Sequence, residues 1–397
     1  MITVIGCDGG PLTGPAGERL AAATLVVGGR DRLAAADVPA AARTVELGGD
    51  LRPALAALAA HDGPAVVLAS GDPGFFGILR AVAEACPGER PEVLPAVSSV
   101  ARAFARVGLR WDDAVVVSAH GRPLAPVAAA CRARPKVAVL TAPGAGPAEL
   151  GAALSGSGRR LVVAARLGEP GEQVVETSPE EAAGREWPDP NVVLVLDPDR
   201  LDGDRSWLAG GEHVPAGWAL GEEAFEHRDG MVTKAEVRAL VLARLAPRLG
   251  SVVWDVGAGS GSVAIECARF GADVVAIERD PDQCARIRAN AAAHGVTVDV
   301  VEGSAPAALA GLRSPDALFL GGGGPDVLHA ALRAHRPARV VAAIVTVERV
   351  GELCSLLDFQ GYAPRVTMLQ AARLGRLPAG HHLTAINPVF VLSGVAG

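Results

Sequence analysis

SVVWDVGAGSGSVAIECARF, residues 251–270, decides how the second half of this chain folds. An apolar run ends at Asp255. A turn follows with glycines at 257, 259 and 261, and a helical pattern resumes at Ser262. Glycine suits such a turn because a side chain there would block close approach of a ligand to the backbone. The unpaired N–H groups that open the following helix can receive polar or anionic ligand groups. Two ligand classes compete for a turn of this kind. A dinucleotide fingerprint, G-x-G-x-x-G/A, requires Gly or Ala at 262, where Ser stands. The spacing here is D-x-G-x-G-x-G, with Asp255 two residues before Gly257.

Outward from this stretch, short apolar runs alternate with Ala/Leu-rich helical patterns along the 397 residues: VVLAS (66–70), VAVLT (137–141), VVLVL (192–196), VVAIE (274–278), ALFLG (317–321) and VVAAIVT (340–346). Such runs fit strands buried on both faces, as in parallel sheets, and their alternation with helices implies an α/β fold. The length suits two or three domains. Residues 197–230, rich in Asp, Gly and Glu, break the rhythm. A boundary is expected near residue 205, within about ten residues, giving domains 1–204 and 205–397. No internal repeat is visible, so the halves should be different α/β folds.

Half of the residues are apolar and 20% are charged, which excludes a disordered chain. Aromatics make up 4%, too few for the stacking platforms of single-strand nucleic-acid binding. Thirty-seven basic against 44 acidic residues leave a net charge of −7, which disfavours a phosphate-backbone partner. Lysine stands only at 136 and 234, a bias that fits the Ala, Gly and Arg richness of the coding DNA. The six cysteines form no CxxC, so reduced thiols in a reducing compartment are expected. The nine histidines have no ligand spacing, and no metal site is predicted. MITVIGCDGG is no secretory leader, and no apolar run reaches 18 residues. A cytoplasmic protein without a membrane partner is expected.

The turn at 255–261 resembles that of S-adenosylmethionine (SAM) methyltransferases. Such a donor has no pyrophosphate to cradle, and its ammonium favours a carboxylate such as Asp255. The resemblance implies donor contacts from Asp255, Gly257, Ala258, Gly259, Ser260 and Gly261. Glu278, 21 residues after Gly257 at the end of the next run, would accept ribose hydroxyls. In VVEGSAP (300–306), Ser304 occupies the position where relatives carry an acid toward the adenine amine, and Ala305 follows it. FLGGGGPD (319–326), with Gly322 and Gly323, would line the substrate side. In MVTKAEVR (231–238), Thr233 could cap a helix with Glu236 closing a capping box, and could also line the donor pocket.

The first half opens with ITVIG and then carries VVLASGDPGFFGILR (66–80), PAVSSVARAFARVGL (95–109), SAHGRP (118–123), VLTAPGAGPAEL (139–150) and ARLGEPGEQV (165–174). This ordered set resembles the tetrapyrrole methylases, a non-Rossmann α/β family of two subdomains that binds SAM between them. Within it, the segments are similar to the corrin-pathway branch acting on precorrin-6Y. The second half is similar to the companion C15-methyltransferase and decarboxylase through MVTKAEVR, DVGAGSGSV, EGSAP, LGGGG and INPVF (386–390). Together they resemble the fused precorrin-6Y methyltransferases. The implied fold is an N-terminal tetrapyrrole methylase fold followed by a Rossmann-like class I methyltransferase sheet. Implied donor residues of the first half are Gly71, Asp72, Pro73, Ser98, Ser99 and Thr141. Two departures stand out. The first loop reads Gly6-Cys7-Asp8-Gly9-Gly10 where the family has G-x-G-P-G, and Arg166 stands where Glu is usual.

The resemblance implies two methyl transfers, at C5 and C15, and one decarboxylation, with SAM as cofactor, a precorrin substrate and a homo-oligomeric enzyme. The ring carbons are already nucleophilic, so the transfers need positioning more than a strong base. The many substrate carboxylates call for cations. Candidates are His120 and Arg122 in the first half, and Arg228, Lys234 and Arg238 in the second. Three rival readings are a SAM methyltransferase for another small molecule or RNA, a SAM-sensing regulator without turnover, and a nucleotide-dependent oxidoreductase. Ser262 counts against the last.

Overall fold

The computed structural model describes residues 1–201, 209, 217–228, 230 and 232–397. The chain divides into two compact units, one of residues 1–122 with 136–210, the other of 123–135 with 211–397. The helix Leu124–Ala133, which chain order puts in the first half, belongs to the second unit. Residue 205, the expected boundary, lies outside the described residues, as does Met231 of the MVTKAEVR motif.

The first unit holds two five-stranded sheets. One runs Arg43–Glu46, Leu25–Gly28, Ala65–Ser70, Ile2–Cys7, Glu92–Leu94, all parallel. Its central strands are buried along almost their whole length because helices cover both faces. The other runs Val115–Ser118, Lys136–Leu140, Asn191–Leu196, Arg160–Ala165, Gln173–Thr177. Only its first pair is parallel. The run VVLVL therefore departs from the parallel expectation: every residue of Asn191–Leu196 is buried, yet it pairs antiparallel on both sides. A continuous apolar run reports that both faces are covered. Strand direction is set by the connections, which the run does not encode.

The second unit is built on a seven-stranded sheet in the order Asp299–Glu302, Asp273–Glu278, Val252–Val256, Ala317–Leu320, Arg339–Ile344, Val389–Ala396, Tyr362–Leu369. The first five strands are parallel, and Val389–Ala396 runs antiparallel to both of its neighbours. From Val252–Val256 the chain moves to one side for two strands, then returns to the other side at Ala317–Leu320. That reversal opens a crevice at the carboxyl ends of the central strands, the usual ligand position of an open α/β sheet. A two-stranded hairpin, Ala372–Leu377 with Gly380–Ala385, completes the unit.

Candidate functional site

The glycine turn sits at that crevice. Strand Val252–Val256 ends in Gly257, and the helix Ser262–Arg269 begins after Gly261. The N–H groups of Gly257 and Ala258 both donate to the Ile277 carbonyl, at 2.9 and 3.2 Å. Those of Gly321 and Gly322 donate to the Val256 carbonyl, at 2.9 and 3.2 Å. Backbone thus stitches three strand ends together, and there is no room for side chains in the seam. A Cβ on Gly257 would lie 2.7 Å from the Gly322 nitrogen, whereas one on Gly259 would meet nothing within 4 Å. Gly259, at φ +56, faces open space.

Two carboxylates flank the turn. Glu278 Oε2 accepts from the Gly259 N–H at 2.8 Å, and its Oε1 accepts from Arg279 and Asp280 N–H at 2.9 and 3.1 Å. The carboxylate is fixed, and Oε2 still has a lone pair to offer. Asp255 is 1% exposed. Its Oδ2 accepts from the Ala264 N–H at 2.9 Å, and its Oδ1 has no partner among the described residues. Burial pushes the Asp255 carboxyl up to about 7; the Ala264 N–H opposes this, and the nearby Glu278 charge adds to it.

Glu278 and the glycine turn border a cavity of about 630 Å³, within the ordinary size of small-molecule sites. Of the expected residues, Gly257, Gly259, Glu278, Ser304, Ala305, Gly322 and Gly323 line it. Asp255, Ala258, Ser260 and Gly261 support the turn from behind: Ser260 is buried, and Gly261 packs on Ile287. Arg228 lines the cavity and pairs with Asp280 at 3.2 Å. Sequence reasoning missed Asp280, Gln283 and Asn290. Asp280 caps the helix Pro281–Ala293 by accepting from Asp282 N–H, and Asp-Pro at 280–281 was a readable start signal. Asn290 carries no such mark. Its buried amide accepts from Glu226 N–H at 2.8 Å and donates to the carbonyls of Glu226 (3.1 Å) and Ser260 (2.9 Å). One side chain thus clamps the segment that carries Arg228 to the glycine turn.

Three expectations near this site are corrected. Arg238 is fully buried. It pairs with Glu266 at 3.4 Å, donates to the carbonyls of Thr233 and Leu220, and lies over the Phe225 ring. With its donors committed to the interior it is a structural cation, not a substrate contact. Thr233 is not the helix cap: the helix Ala235–Leu245 starts after Lys234 with no side-chain bond from that position. The first N–H, of Ala235, is instead satisfied by Glu222 at 2.9 Å, and Glu236 turns away to Arg373 at 2.7 Å. Arg373 also pairs with Glu222 and holds that carboxyl down to about 2. Thr233 and Lys234 do not line the cavity; Lys234 Nζ donates to the Gly230 carbonyl at 3.4 Å.

In the first unit, strand Ala65–Ser70 runs into Gly71, at φ +62. Gly71 N–H donates to the Cys7 carbonyl at 2.8 Å, and a Cβ on Gly71 would touch Ser98 Cα and Ser99 N at 3.4 Å. Gly71, Ser98 and Ser99 are therefore brought together. Asp72 Oδ1 accepts from Gly74 N–H at 2.8 Å, which shapes the turn around the buried Pro73. Ser98 spends its hydroxyl on Ala101 N–H as a helix cap. Thr141 is buried in the second sheet's layer and donates to the Asn191 carbonyl at 2.7 Å; among the described residues no bond joins it to Gly71 or Ser98. His120 and Arg122 are exposed in the loop after Val115–Ser118, where His120 Nδ1 lies 3.2 Å from Ser118 Oγ.

The two departures in sequence have local partners. Asp8 pairs with Arg102 at 2.7 Å. A Cβ on Gly9 would lie 2.0 Å from the Gly168 carbonyl oxygen, so the first loop and the 166–172 loop meet backbone to backbone. Arg166 takes a left-handed φ of +53 and donates its N–H to Pro190 at 2.8 Å. Glu172 closes the loop by accepting from Gly168 N–H and pairing with Arg106, which holds its carboxyl down to about 2.

The chain thus holds two unlike α/β units, the second with a ligand crevice at a glycine turn. The tetrapyrrole (corrin/porphyrin) methylase family matches residues 5–183, and the precorrin methyltransferase domain family matches residues 223–393. A Sinorhizobium sp protein named precorrin-6Y C(5,15)-methyltransferase [decarboxylating] is 40% identical over 364 residues, 87% of this chain and 85% of its own. A protein of the same name from Mycobacterium tuberculosis (strain ATCC 25618 / H37Rv) is 36% identical over 368 residues, 88% of each. The crystal structure of the C-terminal domain of precorrin-6Y C5,15-methyltransferase from Rhodobacter capsulatus is 37% identical, covering 46% of this chain and 99% of that one, with a TM-score of 0.42. The chain belongs to the precorrin-6Y C(5,15)-methyltransferase (decarboxylating) family, and so works with a methyl donor. Among the described residues no helix is long and apolar enough to cross a membrane.

Proposed function

We propose that the chain methylates precorrin-6Y at C5 and C15 with SAM and releases one acetate carboxyl as carbon dioxide, a step of cobalamin biosynthesis. The 1–204 domain carries the C5 transfer, and the 205–397 domain the C15 transfer and decarboxylation. The observation that carries this reading is the second unit's crevice: an open glycine turn beside a fixed carboxylate, Glu278, and over a buried carboxyl with a free oxygen, Asp255. These residues fit the donor. Glu278 takes a ribose hydroxyl, the backbone at Ser304 and Ala305 meets the adenine, and Asp255 sets a negative potential beneath the turn for the ammonium.

Bound there, SAM supplies an electrophilic methyl group. The residues' part is to bind, orient and exclude water. Gly257 and Gly322 bring two strand ends within contact, which fixes the crevice floor. Arg228 at the rim meets a substrate carboxylate, and Gly322 and Gly323 leave room for the ring. In the first unit Gly71, Asp72, Pro73, Ser98 and Ser99 form the donor wall, with Thr141 behind it, and the exposed His120 and Arg122 receive carboxylates. The conjugated ring itself takes up the electron pair left when the carboxyl departs, so these roles ask no side chain for a strong base. Incubation with precorrin-6Y and SAM, followed by mass spectrometry, tests the reading. Two added methyl groups and one lost carbon dioxide are expected; an unchanged precorrin mass would overturn it.

A further inference from the structure

Gln283 is 4% exposed, yet its amide oxygen has no hydrogen-bond partner among the described residues, and it borders the cavity. Buried amide oxygens are rarely left unpaired unless a ligand or water completes them. Its helix, Pro281–Ala293, puts residues 283, 287 and 290 on one face at i, i+4 and i+7. Ile287 packs on Gly261 and Asn290 donates to the Ser260 carbonyl, so this face is turned to the glycine turn. Gln283 stands at its N-terminal end, by the opening.

The neighbouring polar groups on this wall are accounted for. Asp280 is held by Asp282 N–H and Arg228, while Glu278 receives three N–H groups and keeps one lone pair, on Oε2. The wall therefore presents two acceptors, Glu278 and Gln283, beside the cations Arg228 and Arg279 at the rim. A ligand that satisfies both acceptors must bring two donors, as the paired hydroxyls of a diol do. A neutral amide is the right second acceptor, because another carboxylate beside Glu278 and Asp255 would add like charge to a desolvated site.

We propose that Gln283 reads the donor's ribose: its Oε1 accepts one hydroxyl of the sugar diol while Glu278 accepts the other. This rests on the reading that the crevice holds SAM. The test is calorimetric titration of the full-length protein with S-adenosylhomocysteine and its 2′-deoxy and 3′-deoxy forms, in wild type, Gln283→Met and Gln283→Glu. Loss of one such bond is expected to cost about tenfold in affinity. Gln283→Met should weaken one of two binding events by about that factor, spare the other, and no longer distinguish one deoxy form from the parent. Gln283→Glu, which keeps an acceptor, should retain that discrimination. Unaltered deoxy discrimination in Gln283→Met overturns the inference, whether or not affinity falls. Absence in wild type of any binding event that Gly259→Arg removes overturns the SAM reading itself.

Discussion

The two units treat their glycine turns in opposite ways. In the second, the turn at 257–261 is a local device: one strand, one turn and one helix, with an acid at the strand end before it and another at the end of the next strand. Gly259 looks into open space, and its N–H is held by Glu278. In the first, Gly6, Gly9, Gly71 and Gly168 come from four separate places. At Gly6, Gly9 and Gly168 backbone or side-chain atoms of distant loops come within what would be Cβ distance, and Gly71 holds a φ of +62. One turn is small to admit a ligand, the other largely so that the chain can pack on itself. Substitutions should therefore fail differently in the two.

The largest effect is expected from Gly259→Arg. Its φ of +56 is strained for any side chain, but no neighbour is struck and the guanidinium fills the crevice. One of two S-adenosylhomocysteine binding events should vanish in calorimetry while the other persists. Gly9→Ala should do the reverse. Its methyl would collide with Gly168, costing on the order of 3 kcal/mol or more through strain and loop displacement. Chemical denaturation should show the loss confined to the first unit's transition, together with the other binding event.

Asn290→Ala comes next, removing three buried bonds at about 1 kcal/mol each and freeing the segment that bears Arg228. KM for the precorrin should rise more than kcat falls; an equal fall in both units' activities would argue against a local clamp. Asp255→Asn is set apart by its pH dependence rather than by its size. The carboxyl sits near 7 when folded and near 3.9 when unfolded, so its contribution is present in acid and lost as pH rises through about 7. The variant should gain Tm over wild type above pH 7 and lose that advantage toward pH 4.

The same contrast explains what could be read in advance. The turn at 255–261, its strand and helix, and the acid at Glu278 lie within 24 residues, and local spacing specifies them. Asp8 and Arg102 are 94 residues apart, and no pattern in either segment announces their pairing. Arg238 looked like a cation for an anionic substrate because charge is legible and burial is not; only packing against Phe225 and Glu266 shows that it faces inward. The capping box at Thr233 and Glu236 had the right spacing, but Glu222, 13 residues upstream of Ala235, reached the free N–H and Arg373 took Glu236. Gln283 and Asn290 belong to no motif, and their roles come from which helix face meets the turn.

Both units are expected to hold the same donor, and binding stoichiometry of the intact chain measures this most directly. Titration with S-adenosylhomocysteine should saturate at two equivalents per chain, one sensitive to Gly259→Arg and one to Gly9→Ala. Saturation at a single equivalent would contradict it.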